Sequence, residues 1–202
     1  MALYYQSAIR NLPEDYTFRG AMLSDIPIVA FLFKQSQNSN TRIDNYFLEE
    51  LRNNWKWPGF NPALDIRLIF DPREHLIGYI EVWKSTTPTC QSWLWGCVHP
   101  DYQGQGIGTS LLGWAEARLR VELQNLPSHS QISPQFFALR NQTTVHSLCK
   151  NLGWLQVQEP NELPKQVYTY RNVMEKNHSE DVDVYSSYAV YKKVILTGNS
   201  KI

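Results

Sequence analysis

The sequence predicts an α/β fold built on a mixed central β-sheet of about six to seven strands, flanked by about four helices and followed by an extra C-terminal strand segment. Short β-rich runs follow one another at hairpin spacing between Leu64 and Val98. The last of them meets a glycine-rich loop that opens onto an amphipathic helix. Strand-like and helical runs then alternate as far as Trp154.

Each element has its own local signal. Thr17 to Met22 reads as a first strand. Ser24 and Asp25 are N-cap candidates, and Pro27 suits the first turn of a helix that continues through Ile28 to Phe33. Ile43 to Trp55 reads as a second helix, with Tyr46, Phe47, Leu51 and Trp55 near helical spacing. Pro58 and Pro62 mark a loop over Trp57 to Pro62. Leu64 to Phe70 and Leu76 to Trp83 are strands joined by Asp71-Pro72-Arg73-Glu74, a hairpin connection. Trp93 to Val98 is another strand. The helix from Gly106 to Glu122 carries Ile107, Leu111, Ala115 and Leu119 along one face. Gln135 to Arg140 is strand-like. Asn141 or Thr143 can cap a helix through Leu152, with Gly153 as its stop, and Trp154 to Gln158 returns to strand. Both Gln166 to Met174 and Tyr185 to Leu196 have the composition of a closing strand, with Glu180, Asp181 and Asp183 between them. The sequence does not choose between the two.

The 202 residues suit one domain, with a core over about 13–174 and a C-terminal extension or closing strand over 175–202. Hydrophobic content of 43% and charged content of 19% are those of a soluble globular protein. A formal net charge of +0 gives no bulk field toward nucleic acid or an anionic membrane, so neither is an expected partner. Met1 to Tyr5 is apolar but soon meets Arg10 and Glu14, too short for a signal segment. Ile28 to Phe33, the longest apolar run, is far below a membrane span. The expected location is the cytosol. Cys90, Cys97 and Cys149 form no CxxC pair, so neither a disulfide frame nor a metal site is expected. Asn141-Gln142-Thr143 and Asn177-His178-Ser179 match the glycosylation pattern, which has no bearing on a cytosolic chain.

Chemistry concentrates in Val98-His99-Pro100-Asp101-Tyr102-Gln103-Gly104-Gln105-Gly106-Ile107-Gly108-Thr109-Ser110-Leu111-Leu112. Alternating glycines turn the backbone tightly and bring its N–H groups against a bulky anion with no Cβ in the way. The helix that follows leaves its first N–H groups unpaired and adds the positive end of its dipole. Strand, glycine loop and helix N-terminus together suit a pyrophosphate. No lysine completes a Walker loop, and Thr109 stands where a dinucleotide fingerprint needs its third glycine. Gln103-x-x-Gly106-x-Gly108, preceded by Val-x-Pro-x-Tyr and followed by Ile-Gly-x-x-Leu-Leu, instead resembles the acyl-CoA loop of the GNAT N-acyltransferase superfamily. The opening strand with its Asp-led helix is similar to the start of such domains.

That resemblance implies acetyl-CoA as co-substrate. Backbone N–H groups from Gln103 through Gly104, Gln105, Gly106, Ile107 and Gly108 to Thr109 would hold its pyrophosphate. The preceding strand would bulge, and the backbone of Cys97 and Val98 would pair with the pantetheine arm. Asn141 would hydrogen-bond the pantetheine amides, although it serves equally as a helix N-cap.

The chain departs from the family where a Tyr often protonates the leaving thiolate, since Cys149 stands there. Cys149 is a candidate acid, yet it shares an apolar helix face with Val145, Leu148 and Leu152 and reads more readily as a small core residue. His146 lies one helical step away, within reach of it. Tyr102 is the alternative acid. No carboxylate lies on the strand before the loop, so Glu81 is the candidate base. It alternates with Ile77, Tyr79 and Trp83 on one sheet face, and the competing reading is a solvent-facing Glu. Trp55, Trp57, Phe60, Trp93 and Trp95 suit either a pocket for an apolar or cationic acceptor, or core and dimer contacts.

The expected function is transfer of an acetyl group from acetyl-CoA to a primary amine of a small molecule or peptide by direct attack, with a homodimer as a further expected assembly. An acyl-CoA-binding sensor or interaction module with little catalysis is the alternative.

Overall fold

The computed structural model describes residues 12–36, 45–84, 92–126, 131–139, 142–157 and 188–196. Its strands are β1 (Thr17–Arg19), β2 (Ile66–Phe70), β3 (Leu76–Trp83), β4 (Trp93–Val98), β5 (Gln131–Ile132), β6 (Gln135–Leu139), β7 (Leu155–Val157), β8 (Tyr188–Lys192) and β9 (Ile195–Leu196). Its α-helices are α1 (Ile26–Ser36), α2 (Asn45–Trp55), α3 (Pro62–Asp65), α4 (Ile107–Leu123) and α5 (Thr143–Asn151). Seven strands form one sheet in the order β1-β2-β3-β4-β6-β8-β7, and β5 pairs with β9 in a small second sheet. The mixed sheet and its flanking helices are the predicted α/β architecture.

Side-chain alternation gives the sheet two apolar faces. On one, Leu68, Tyr79, Trp83, Trp95 and Phe137 pack under α1 and α2 through Val29, Phe33, Phe47 and Leu51. On the other, Ile69, Ile80, Val82 and Leu94 pack against Ile107, Leu111, Trp114 and Leu119 of α4. The predicted helix stripe Ile107, Leu111, Ala115, Leu119 is buried throughout. A buried ion group ties α4 to the last residue of α3: Arg118 donates to Asp65 Oδ1 at 2.8 Å, and Lys84 Nζ lies 3.4 Å from the same oxygen.

Several boundaries differ from expectation. β1 ends at Arg19 rather than Met22, because the chain presses onto the start of α3. A Cβ on Gly20 would lie 2.1 Å from Ala63 O, and Ala21 N–H bonds to Pro62 O. Leu64 belongs to α3 and not to β2. Asn61 caps that turn by accepting from Ala63 N–H, and Pro62 opens it. Helix α1 starts at Ile26, after a 3₁₀ turn over Leu23–Asp25 in which Asp25 accepts from Met22 N–H and pairs with Arg19. The candidate strand Gln166 to Met174 and the acidic Glu180, Asp181 and Asp183 lie outside the described residues, as do Cys90, Asn141 and Asn177. Of the other closing candidate, Tyr188 to Lys192 does join the sheet, between β6 and β7.

The feature that positions the site is a break in the ladder. Neighbouring strands from β1 to β4 are antiparallel, whereas β4 and β6 run parallel. Their pairing consists of Trp93↔Gln135 and Leu94↔Phe136. Beyond Leu94 the two strands part, and a gap opens through the sheet at the C-terminal end of β4.

Candidate active site

The gap is a cavity of ≈ 560 Å³. Gly96, Cys97 and Val98 of β4 line it, together with the loop residues Tyr102, Gln103, Gly104, Gly106, Gly108 and Thr109. Helix α5 lines it through Thr143, Ser147 and Asn151, a polar row at four-residue spacing. Ser36, at the end of α1, and Tyr79 of β3 line it as well. The cavity therefore reaches from the α4/α5 side of the sheet through to the α1 side.

The loop has the conformation its glycines allow. Gly104 and Gly106 adopt φ of 78° and 83°, the left-handed region that a side chain strains. Gly106 is the N-cap of α4, and the first intrahelical bond runs from Ser110 N–H to Gly106 O. Gln103 N–H bonds to Pro100 O at 3.2 Å. Of the expected cradle, Gln103 is thus satisfied within its own turn. Among the described residues, no backbone carbonyl takes the N–H groups of Gly104, Gln105, Gly106, Ile107, Gly108 or Thr109. They form a row of donors at the positive end of a 17-residue helix.

On β4, Gly96 is required by packing. A Cβ there would lie 2.7 Å from Tyr79 O on the neighbouring strand. Cys97 and Val98 both line the cavity, and no ladder to β6 extends past Leu94. The backbone edge at these residues is therefore open to an extended partner. The Cys97 thiol is pushed up to about 12 by burial, with a hydrogen bond to Ser36 opposing and the nearby charge of Glu81 adding to it.

Glu81 is fully buried, which excludes the solvent-facing reading. The Tyr79 hydroxyl donates to Glu81 Oε2 at 2.6 Å. Phe33 of α1 stands edge-on over the Tyr79 ring, with centroids 5.1 Å apart. Tyr79, itself fully buried, is among the residues that line the cavity, and Glu81 is not.

The two candidate acids are placed differently from expectation. Cys149 is fully buried in the core beneath α5, and burial pushes its thiol up to about 12. Its neighbours Val145 and Leu148 line the cavity, while Cys149 turns away from it. His146 shares a 2.7 Å hydrogen bond with the Tyr191 hydroxyl. Tyr102 does line the cavity, but its hydroxyl donates to Asp71 Oδ2 at 2.7 Å. That hydrogen bond, with burial behind it, raises the phenol above its ordinary value and makes it a poorer acid.

Asn141 lies outside the described residues, so its expected contact to pantetheine amides is not addressed there. The next residue, Gln142, lines the cavity at the N-cap of α5, and its side chain makes no capping bond. The tryptophans do not line the cavity. Trp55, Trp93 and Trp95 are core residues, Trp83 stacks between Phe60 at 4.2 Å and Trp93 at 5.1 Å, and Trp57 is exposed. Tyr79, Ser36, Gln142, Ser147 and Asn151 were not singled out by sequence. The available signals were the Tyr79–Glu81 spacing of two on a strand and the four-residue polar repeat of α5. Among the described residues, no His, Cys, Asp and Glu side chains gather into a group that could hold a metal ion.

The site thus combines a mixed sheet that parts beside a glycine loop with helix-start N–H groups that no backbone carbonyl takes among the described residues. Residues 67–154 match the family model described as an acetyltransferase (GNAT) domain. That match spans less than half of the chain and is a likeness to the GNAT domain over those residues. Among solved structures, it is similar to a GCN5-related N-acetyltransferase from Sphaerobacter thermophilus (24% identity, TM-score 0.63). That match covers 72% of this chain but only 45% of the other. A spermidine N-acetyltransferase from Vibrio cholerae is similar over 92% of this chain and 95% of its own (16% identity, TM-score 0.55). The NatC complex bound to Gag peptide and CoA is similar over 90% and 98% (11% identity, TM-score 0.54). No curated protein matches the sequence.

Proposed function

We propose that the protein is an acetyl-CoA-dependent N-acetyltransferase acting on a primary amine of a small molecule or peptide. The observation that carries this reading is the coincidence of the β4–β6 gap with the row of free loop N–H groups in one cavity. An anion and an extended amide-bearing arm would meet complementary surfaces there. The N–H groups of Gly104 to Thr109 would hold the pyrophosphate, assisted by the α4 dipole. The open backbone edge at Gly96 to Val98 would take the pantetheine arm as an added strand, and Gln142, beside Asn141, would present an amide to it. A CoA thioester would supply the activated acyl group, and a β4 N–H would polarise its carbonyl. Glu81 is the proton acceptor: a carboxylate held in an apolar surround, one strand away from Cys97 and within electrostatic reach of it.

Likeness to enzymes named for spermidine and to a complex holding a peptide supports an amine acceptor of either kind. No helix among the described residues is long and apolar enough to cross a membrane. Cytosolic location, a single domain over 1–202 and a homodimer remain part of this proposal. A panel of polyamines, amino acids and peptides, assayed for CoA release and for mass gain of the acceptor, tests it. The expected result is turnover that Gly106→Glu abolishes.

A second reading has one specific observation in its favour. Cys149 is turned into the core and the Tyr102 proton is committed to Asp71, so neither candidate acid is free to protonate a leaving thiolate. A module that binds acyl-CoA without catalysis would share the cradle. Binding without turnover across the panel would favour it.

A further inference from the structure

Three branched side chains stand in the same cavity as the row of free loop N–H groups. Val98 of β4 and Val145 and Leu148 of α5 all line it, and each is only half-buried. Val145 and Leu148 share one face of α5 at three-residue spacing. Leu148 and Val98 meet the loop at Gly108, the second residue of α4. A Cβ built there would lie 2.9 Å from Leu148 Cδ2 and 3.9 Å from Val98 Cγ2. Methyl groups from α5 and from β4 therefore converge on the Gly108 Cα. The Gly108 N–H is itself one of the donors that no backbone carbonyl takes among the described residues. An apolar patch and an anion cradle thus touch within a single residue.

Water serves such a place poorly, because it must satisfy the donors while wetting branched apolar groups. A ligand suited to both carries a bulky apolar carbon a few bonds from its anion. CoA has this arrangement. Two bonds from the ester oxygen of its pyrophosphate, towards the thiol, stands the quaternary carbon of the pantoyl unit with its two methyl groups. The rest of the arm carries no other methyl group, and its amides suit the open β4 edge.

We propose that Leu148 and Val98 are specificity-determining residues that read this dimethyl carbon. The inference rests on the acyl-CoA cradle proposed above, and it holds whether or not the protein turns over. Charge alone would admit any pyrophosphate, whereas the methyl contact selects pantoyl-bearing donors.

The test is calorimetric titration with two ligands, CoA and an analogue in which hydrogens replace the two pantoyl methyls. Wild type should bind the analogue about 10-fold more weakly, the loss expected for two methyl groups left out of an apolar contact. Leu148→Ala should weaken CoA binding and leave the analogue nearly unaffected, bringing the ratio down to about 3-fold or less. Val98→Ala should narrow the ratio in the same way. Leu148→Met keeps the volume and the apolar surface, and it should keep most of the discrimination. A purely structural role would weaken both ligands alike and leave the ratio at its wild-type value. Equal affinity of wild type for the two ligands would overturn the proposal with no variant needed. So would an unchanged ratio in the alanine variants, with their folding checked by far-UV circular dichroism. Wild type that binds neither ligand would instead overturn the acyl-CoA reading, and this inference with it.

Discussion

The Tyr102 hydroxyl donates to Asp71 Oδ2 at 2.7 Å, pinning the glycine loop to the turn between β2 and β3. Asp71 is itself nearly fully buried and already shapes that turn: its other oxygen accepts from the N–H groups of Arg73 and His75. The His75 ring lies 3.2 Å from Oδ2. The loop that presents N–H groups to the cavity is therefore braced from a hairpin far from it in sequence. Burial alone would raise the Asp71 carboxyl, but the bonds from Tyr102, His75 and Arg73 outweigh it and hold it at about 2.

This bond has a pH signature. Because the folded carboxyl lies below its ordinary 3.8, its stabilisation is fully present above that value and is lost as the pH falls toward about 2. Tyr102→Phe removes one of the stabilising donors, so less stability remains to be lost on acidification. Urea midpoints measured from pH about 5 down to about 2 should fall less steeply in the variant than in wild type. Parallel curves would mean that Tyr102 does not hold this carboxylate.

Cys149 should matter for stability and not for chemistry. Cys149→Ser places a hydroxyl in an apolar core and should cost about 1–3 kcal/mol in urea unfolding. The kcat of the folded variant should match wild type. A thiol held at about 12 within the fold should also resist alkylation at neutral pH until the protein unfolds. Loss of kcat without loss of stability would restore Cys149 to the mechanism.

Arg118→Met should be among the most damaging single changes. It leaves the fully buried Asp65 carboxylate with Lys84 at 3.4 Å as its remaining nearby cation. Breaking a buried pair typically costs about 3–5 kcal/mol. Retained affinity for Lys84 places the expected loss at the lower end, read from urea unfolding. A change of less than about 1 kcal/mol would show that the pair is not coupled to folding.

Gly96→Ala should separate β3 from β4. Its Cβ would meet Tyr79 O, which is backbone and has nowhere to retreat. The expected cost is about 1–3 kcal/mol, with weaker acyl-CoA binding, because Gly96 also lines the cavity. Gly108→Ala is the control. There the clash, at 2.9 Å, is with the flexible end of the Leu148 side chain, and the variant should fold normally.

What was legible in the sequence was what short-range pattern encodes. The stripe of Ile107, Leu111, Ala115 and Leu119 gives a helix, alternation gives β3 and β4, and the Gln103-x-x-Gly106-x-Gly108 spacing gives the loop with its left-handed Gly106. Alternation puts Glu81 in one row with Tyr79 and Trp83, but Ile77 packs on the opposite face, beyond a register shift between Ile69 and Phe70. Whether the Glu81 face is wet or dry depends on α1 and α2 packing over it. Long-range contacts were not legible. The bond from Tyr102 to Asp71 spans 31 residues of chain, and it turns a candidate acid into a brace. Cys149 and Leu148 are adjacent, yet only the placement of α5 over β8 decides which one reaches the cavity. Tyr79 shares a row with Glu81, but that it borders the cavity depends on where β4 and β6 part.

The central claim is that the β4–β6 gap and the glycine loop form an acyl-CoA cradle, and calorimetric titration with acetyl-CoA tests it most directly. Wild type should bind with an affinity on the order of micromolar. Gly106→Glu, which forces a side chain and a negative charge into a left-handed position among the free N–H groups, should weaken binding by at least about 100-fold. Folded wild-type protein that binds no acetyl-CoA, or a Gly106→Glu variant that binds as well as wild type, would contradict it.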